Sequence, residues 1–145
     1  MGKATRSILF ACNMNSVRSP IAEALARRLL GPGTRVESCG VYEGMLDPFV
    51  AEVLLENDLP VPQRPPQTFA DVDLAEFDRV IALSPEAAAE ARRLSGNVSY
   101  WEIDNPTDIR GGDEELRRAY RLCRDCLAER INSEFQSTTA ISPAS

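Results

Sequence analysis

Near the N-terminus a cysteine and an arginine stand in one short stretch, "LFACNMNSVRSP" at residues 9–20, with Cys12 and Arg18 separated by Asn13, Met14, Asn15, Ser16 and Val17. These two residue types together can attack and grip a tetrahedral oxyanion. The thiolate is the nucleophilic form of cysteine, and a guanidinium presents a planar fork that holds two oxygens at once. If the residues between them curl, their successive backbone N–H groups form a concavity for an anion. The positive end of a helix starting just beyond adds to it. A ring of this kind stabilises a thiolate at its centre over the thiol. Asn15, in mid-loop, is among the few non-glycine residues that tolerate positive φ, and the Ser19 hydroxyl can hydrogen-bond to the sulfur. The short motif also fits a plainer reading, in which Cys12 is apolar filler at the end of a buried strand.

The flanking elements place that stretch. Ser7–Ala11 is a short continuous apolar run, the pattern of a central parallel strand. A helical pattern runs from Pro20 to Leu30, with Ile21, Leu25 and Leu29 on one face, and Gly31-Pro32-Gly33 stops it. Arg35–Cys39 alternates as a second strand, and Pro48 to about Glu56 reads as a helix. Residues 60–68 contain four prolines and form an extended connector. Arg79–Leu83 and Val98–Ile103 read as strands, with a helix at Pro85–Leu94 between them and a long helix from Asp113 to about Ile131. Ser19-Pro20, Asp47-Pro48 and Ser84-Pro85 each precede a helical pattern, the arrangement of a side-chain cap followed by a proline whose missing N–H costs nothing. The alternation predicts an α/β fold, a three-layer sandwich of a four-stranded parallel sheet with helices on both faces. Ligands of such sheets sit beyond the carboxyl ends of the strands, which is where Cys12 falls. Residues 1–132 are expected to form the domain and 133–145, Ser/Thr-rich at the end, a mobile C-terminal tail.

Composition removes whole classes of function. The formal net charge is −6, so no general basic field is available for nucleic acid, and any anion site must be built locally. No stretch approaches the length of a membrane span, and the apolar run Ile8 to Cys12 is shorter than a signal peptide's core. A cytoplasmic protein with reduced cysteines is expected. The chain has no histidine, which excludes a His-dependent triad and leaves acid–base work to carboxylates or thiols.

"LFACNMNSVRSPIAEALARRLL" resembles the opening of the low-molecular-weight protein tyrosine phosphatases, in its Cys, five residues, Arg-Ser signature, its internal Asn and its Pro-x-Ala-Glu-Ala helix start. The resemblance continues through "VESCG", "FDRVIALSPEA" and "YWEIDNPTD". It implies a two-step reaction without cofactor or metal. Cys12 attacks a phosphate monoester, the N–H groups of residues 13–18 with Arg18 hold the equatorial oxygens, Ser19 supports the sulfur, an acid protonates the leaving oxygen, and water releases the phosphate. The implied partner is a phosphorylated protein or a small aryl phosphate.

Three departures from the family pattern stand out. The family's general acid is an aspartate directly before a proline, and here Asn105 precedes Pro106. Asp104 takes the role if the loop shifts by one residue, Asp108 is the more distant candidate, and both also fit solvated loop or cap positions. Val17 stands where many relatives have a second, redox-protective cysteine. Thr107 follows Pro106, where relatives that favour phosphotyrosine place an aromatic residue; Tyr42 is a candidate wall and Trp101 reads as core. Cys39 reads as packing in the turn after the second strand, and Cys123 and Cys126 as helix core packing rather than a metal or redox pair. A cysteine-dependent phosphatase is the first reading. A phosphate-binding regulatory module with impaired catalysis is the second, and an arsenate reductase the third, since residues 80–92 carry no cysteine for a disulfide relay.

Overall fold

The computed structural model describes residues 6–135. β1 (Ser7–Cys12), α1 (Arg18–Leu30), β2 (Arg35–Gly40), α2 (Pro48–Leu55), β3 (Arg79–Ala82), α3 (Pro85–Leu94), β4 (Val98–Tyr100) and α4 (Asp113–Phe135) follow one another in that order. The four strands form one parallel sheet in the order β2-β1-β3-β4. All six residues of β1 are buried, as a strand covered on both faces must be. Its side chains alternate between two cores. Ile8, Phe10 and Cys12 pack with α1, α2 and α4, whereas Leu9 and Ala11 pack with α3 and the Phe69–Phe77 segment. This is the three-layer sandwich that the alternation predicts, and the period of two sends Cys12 into the α1–α4 layer.

Several boundaries differ from the sequence reading. β4 ends at Tyr100 rather than Ile103; Trp101 still donates its N–H to the Ala82 carbonyl at 2.9 Å, and its ring packs on Phe10, with ring centroids 6.0 Å apart. α4 extends to Phe135, which is buried, so the domain continues past residue 132. Of the expected tail, 133–135 are helical, and 136–145 lie outside the described residues. Asp47 and Ser84 cap their helices, accepting from the N–H groups of Phe49 and Ala87. Ser19 does not. α1 starts two residues before Pro20, at Arg18, with no side-chain cap. No helix among the described residues is long and apolar enough to cross a membrane.

Ion pairs fasten α2 to α4. Glu56 is held by Arg121 and Arg124, with N–O distances of 2.8 Å to each. Hydrogen bonds from Arg121 and then Arg124 bring its carboxyl down to about 2 from the ordinary 4.5. Because the folded value lies below the unfolded one, this contribution is present above pH 4.5 and is lost as pH falls towards 2. The group is largely solvated, so the effect is modest. Glu56→Gln is expected to lower the melting temperature at pH 6 by a few degrees and to flatten its fall between pH 5 and 2. Equal slopes for the two proteins in acid melts would refute this.

Candidate active site

Cys12 is the last residue of β1, and the loop 13–17 returns the chain directly into α1. The loop is pinned at several points. Asn15 has φ 53°, the left-handed turn its residue type permits. The carbonyls of Cys12, Asn13 and Ser16 accept from the N–H groups of Val41, Tyr42 and Asp47. Gly40 and Gly44 lie against the loop backbone. A Cβ on Gly40 would stand 2.6 Å from Asn15 N and 2.7 Å from Met14 C, and one on Gly44 would stand 2.7 Å from Met14 O. Only glycine permits so close an approach. Among the described residues no acceptor takes the backbone N–H groups of residues 13–18. Six successive donors at the head of a 13-residue helix are thus left for an anion.

The side chains converge on the sulfur. Cys12 Sγ lies 3.0 Å from Ser19 Oγ. Ser19 Oγ also accepts from Asn15 Nδ2 at 2.9 Å and lies 3.3 Å from the Cys39 carbonyl. That use of the hydroxyl is why Ser19 sits inside the first turn instead of capping it. Asn13 Oδ1 accepts from Ser84 Oγ at 2.5 Å, tying the loop to the start of α3. Met14 is exposed at the rim, while Asn15, Val17, Arg18 and Ser19 are buried. Arg18 Nη1 donates to the carbonyls of Leu83 and Ile103, at 3.3 and 3.0 Å. Its guanidinium is thereby fixed between the carboxyl end of β3 and the loop that carries Asp104.

Asp104 and Asn105 differ in circumstance. Asn105 Oδ1 accepts from both Thr107 N and Thr107 Oγ1, at 3.1 and 2.8 Å, and so caps the short turn Pro106–Asp108. Asp104 is exposed and has no hydrogen-bond partner among the described residues. It lines a cavity of about 310 Å³ with Asn105, Pro106, Leu122, Cys123 and Cys126, and Cys12 is not part of that lining. Asp108 is exposed at the end of the same turn.

The other cysteines separate. Cys39 is fully buried in β2, and burial pushes its thiol up. Cys123 is buried and is pushed up to about 12, mostly by burial, with Arg18 pulling the other way. Cys126, in contrast to the expected core packing, is exposed on the adjacent turn of α4. Tyr42 is exposed beside the loop, and Trp101 is buried as expected.

A further layer escaped the sequence reading. Ser38 and Gln67 bond to Asn15, Glu23 accepts from Ser38, and Arg64 donates to Glu23, which is fully buried. The one available signal was a glutamate amid the apolar positions of α1.

A family model described as low molecular weight phosphotyrosine protein phosphatase matches residues 7–137. The chain belongs to that family. The arsenate reductase of Bacillus licheniformis is 29% identical over 128 residues, covering 87% of this chain and 92% of the relative. The solved tyrosine phosphatase Wzb from Escherichia coli K30, in complex with sulphate, superposes with a TM-score of 0.71 at 24% identity, over 90% of this chain and 99% of that one. The Erwinia amylovora tyrosine phosphatase AmsI does so with a TM-score of 0.78 at 20% identity, over 97% of each chain. At those identities the two structures show the shared fold of the phosphatase family. The relatives of this member therefore carry two activities by name.

Proposed function

We propose that the chain is a cysteine-dependent phosphatase acting on phosphate monoesters, aryl phosphates such as phosphotyrosine first among them, through a cysteinyl-phosphate intermediate. The observation that carries this reading is the Cys12 sulfur, hydrogen-bonded to Ser19 at the head of α1, beside six unclaimed N–H groups and a fixed Arg18. Cys12 attacks phosphorus, and the phosphoryl–oxygen bond to the leaving group breaks. The N–H groups of Asn13, Met14, Asn15, Ser16, Val17 and Arg18, with the Arg18 fork, hold the equatorial oxygens, where charge is greatest. Asp104 gives its proton to the leaving oxygen and then takes one from the attacking water. Asn105 has no proton of that kind to give, and its side chain is committed to Thr107. The open space lined by Asp104 on the α4 side leaves room for the loop to shift. No metal enters the scheme, since the arginine and the N–H ring supply the charge.

The direct test is hydrolysis of 4-nitrophenyl phosphate by reduced protein in chelator, between mildly acidic and neutral pH. Absence of turnover throughout would overturn the reading. The same assay checks the loop. Gly40→Ala forces the backbone of residues 13–15 to move, so the variant is expected to lose about 1–3 kcal/mol of stability. It is also expected to lose about 100-fold in kcat/KM. Wild-type kinetics in a folded Gly40→Ala protein would show that the loop need not hold this position.

A second reading, arsenate reduction, is favoured by the names of the relatives at 28–29% identity. It requires two electrons from thiols, and the segment 80–92 supplies none. Thiol-coupled formation of arsenite by the purified chain would establish it. The regulatory-module reading rests on Asn105 alone, and is separated from the first by whether turnover is seen.

A further inference from the structure

The cavity of about 310 Å³ that Asp104 lines, and Cys12 does not, has walls of two kinds. Most of the lining is apolar. Ile103, Pro106 and Ile109 contribute from the acid loop, and Ala119 and Leu122 from α4. Positions 119, 122, 123 and 126 share one face of that helix by their spacing. Ile109 and Leu122 are 47% and 64% exposed, so large apolar side chains stand open to solvent around a concavity, the character of a ligand site. Cys123 is only 6% exposed, and its thiol, on the lining, takes part in no hydrogen bond among the described residues. The rest of the lining is acidic. Glu102 and Asp104 are exposed carboxylates with no ion pair or hydrogen bond among the described residues. Glu52 and Glu56, in contrast, are each held by arginines of α4. No basic side chain lines the cavity. Arg18 is committed to the Leu83 and Ile103 carbonyls, and Arg130 lies over the Trp101 ring, 5.0 Å from its centroid.

We propose that this cavity binds a small organic cation, an apolar body carrying one ammonium group, with the body against the α4 wall and the ammonium on Glu102 and Asp104, and that its occupancy withholds Asp104 from the acid step. The coupling to turnover rests on the phosphatase reading above; the binding site does not. The apolar walls gain by being covered, and the two unpaired carboxylates select the charge. An anion of the same shape meets like charge, and a neutral molecule leaves both carboxylates unmatched. An ammonium beside Asp104 favours its ionised form, so the proton meant for the leaving oxygen is lost. The body of the ligand also takes up the space into which the loop would shift. Phosphate still reaches the anion ring, because none of residues 12–18 lines the cavity.

The test uses the full chain with tryptamine as the probe. Indole-3-propionate supplies the same ring with the opposite charge, and ethylammonium the charge without the ring. The first readout is alkylation by iodoacetamide of Cys126, which is exposed and lines the cavity. It needs no turnover, and cleavage after Arg124 separates Cys126 from Cys123 for mass spectrometry. Saturating tryptamine is expected to slow this alkylation about fivefold or more, and each control less than about twofold. Glu102→Gln, a change on an exposed side chain, should raise the half-saturating concentration of tryptamine about threefold and leave turnover without tryptamine unchanged. The second readout is kcat and KM. Tryptamine should lower kcat at constant KM, more for an alkyl phosphate than for 4-nitrophenyl phosphate, with the same half-saturating concentration as the protection. No protection by tryptamine, equal protection by indole-3-propionate, no fall in kcat for an active protein, or a rise in KM alone, which places the amine at the anion ring, would overturn the proposal. So would a Cys126 that resists iodoacetamide before any amine is added, since the chain itself or a second copy then covers the cavity. Protection by tryptamine alone in a protein that turns over no phosphate ester would leave the cation site standing and sink the phosphatase reading.

Discussion

Cys12→Ser is expected to abolish hydrolysis of 4-nitrophenyl phosphate, with a fall of about 10⁴-fold or more. The change is nearly isosteric, and Cys12 is only 3% exposed, at the end of a fully buried strand, so the fold is expected to hold. What disappears is the nucleophile. A serine hydroxyl beside Ser19 is not ionised near neutral pH, and among the described residues no histidine or lysine stands by to take its proton. The anion ring is built from other atoms, the N–H groups of residues 13–18 and Arg18, so inorganic phosphate should bind Cys12→Ser with affinity within a few-fold of wild type. Loss of turnover with retained phosphate binding is the signature of covalent catalysis at this position. Turnover persisting in Cys12→Ser would place the nucleophile elsewhere. Joint loss of binding and turnover, in a folded protein, would mean that the sulfur organises the loop instead of attacking.

Asp104→Ala is expected to reduce kcat for 4-nitrophenyl phosphate by about 10²-fold, and more for an alkyl phosphate, whose poorer leaving group depends more on a proton. The alkaline limb of the pH–rate profile should flatten in the variant, because that limb reports loss of the acid's proton. Asn105→Asp is expected to change the rate little. Residue 105 caps the Pro106–Asp108 turn through Thr107, and an aspartate would accept the same two bonds. Asp104, exposed and without a hydrogen-bond partner among the described residues, is the carboxyl with freedom to move. The opposite pattern, with Asp104→Ala unchanged and Asn105→Asp strongly activating, would show that this chain lacks a working acid and would favour the phosphate-binding module. Such a pattern would leave the Cys12 assignment intact, because attack and leaving-group protonation are separate steps.

These two experiments address features of unequal legibility. The elements that present Cys12 were readable because each is written in local terms. The apolar run of β1 needs a covered strand, the Asp47-Pro48 and Ser84-Pro85 pairs mark helix starts, and the alternation of strand and helix permits few topologies. The Ser19-Pro20 pair carried the same local signature with a different outcome. Its hydroxyl is drawn to Cys12 and Asn15, contacts that no local rule contains, and α1 starts at Arg18 without a side-chain cap. Cys123 and Cys126 share a helical stripe in the sequence, yet one is buried and the other exposed. The stripe is wider than the contact that α4 makes with the core, and periodicity does not report that width.

The sequence by itself determined the fold class, the position of Cys12 at the carboxyl end of the first strand, and the set of groups able to hold an anion there. Each depends on spacing along a few residues. Only the tertiary structure decided what stands behind that set: Gly40 and Gly44 against the loop backbone, Arg18 fixed by the Leu83 and Ile103 carbonyls, Asn15 held by Gln67 and Ser38, and the Glu23–Arg64 pair beyond Ser38. The physical reason is separation along the chain. Arg64 meets Glu23 across 41 residues, and Arg18 meets Ile103 across 85. A pattern confined to a window of a few residues carries no record of partners that only folding brings within 3 Å.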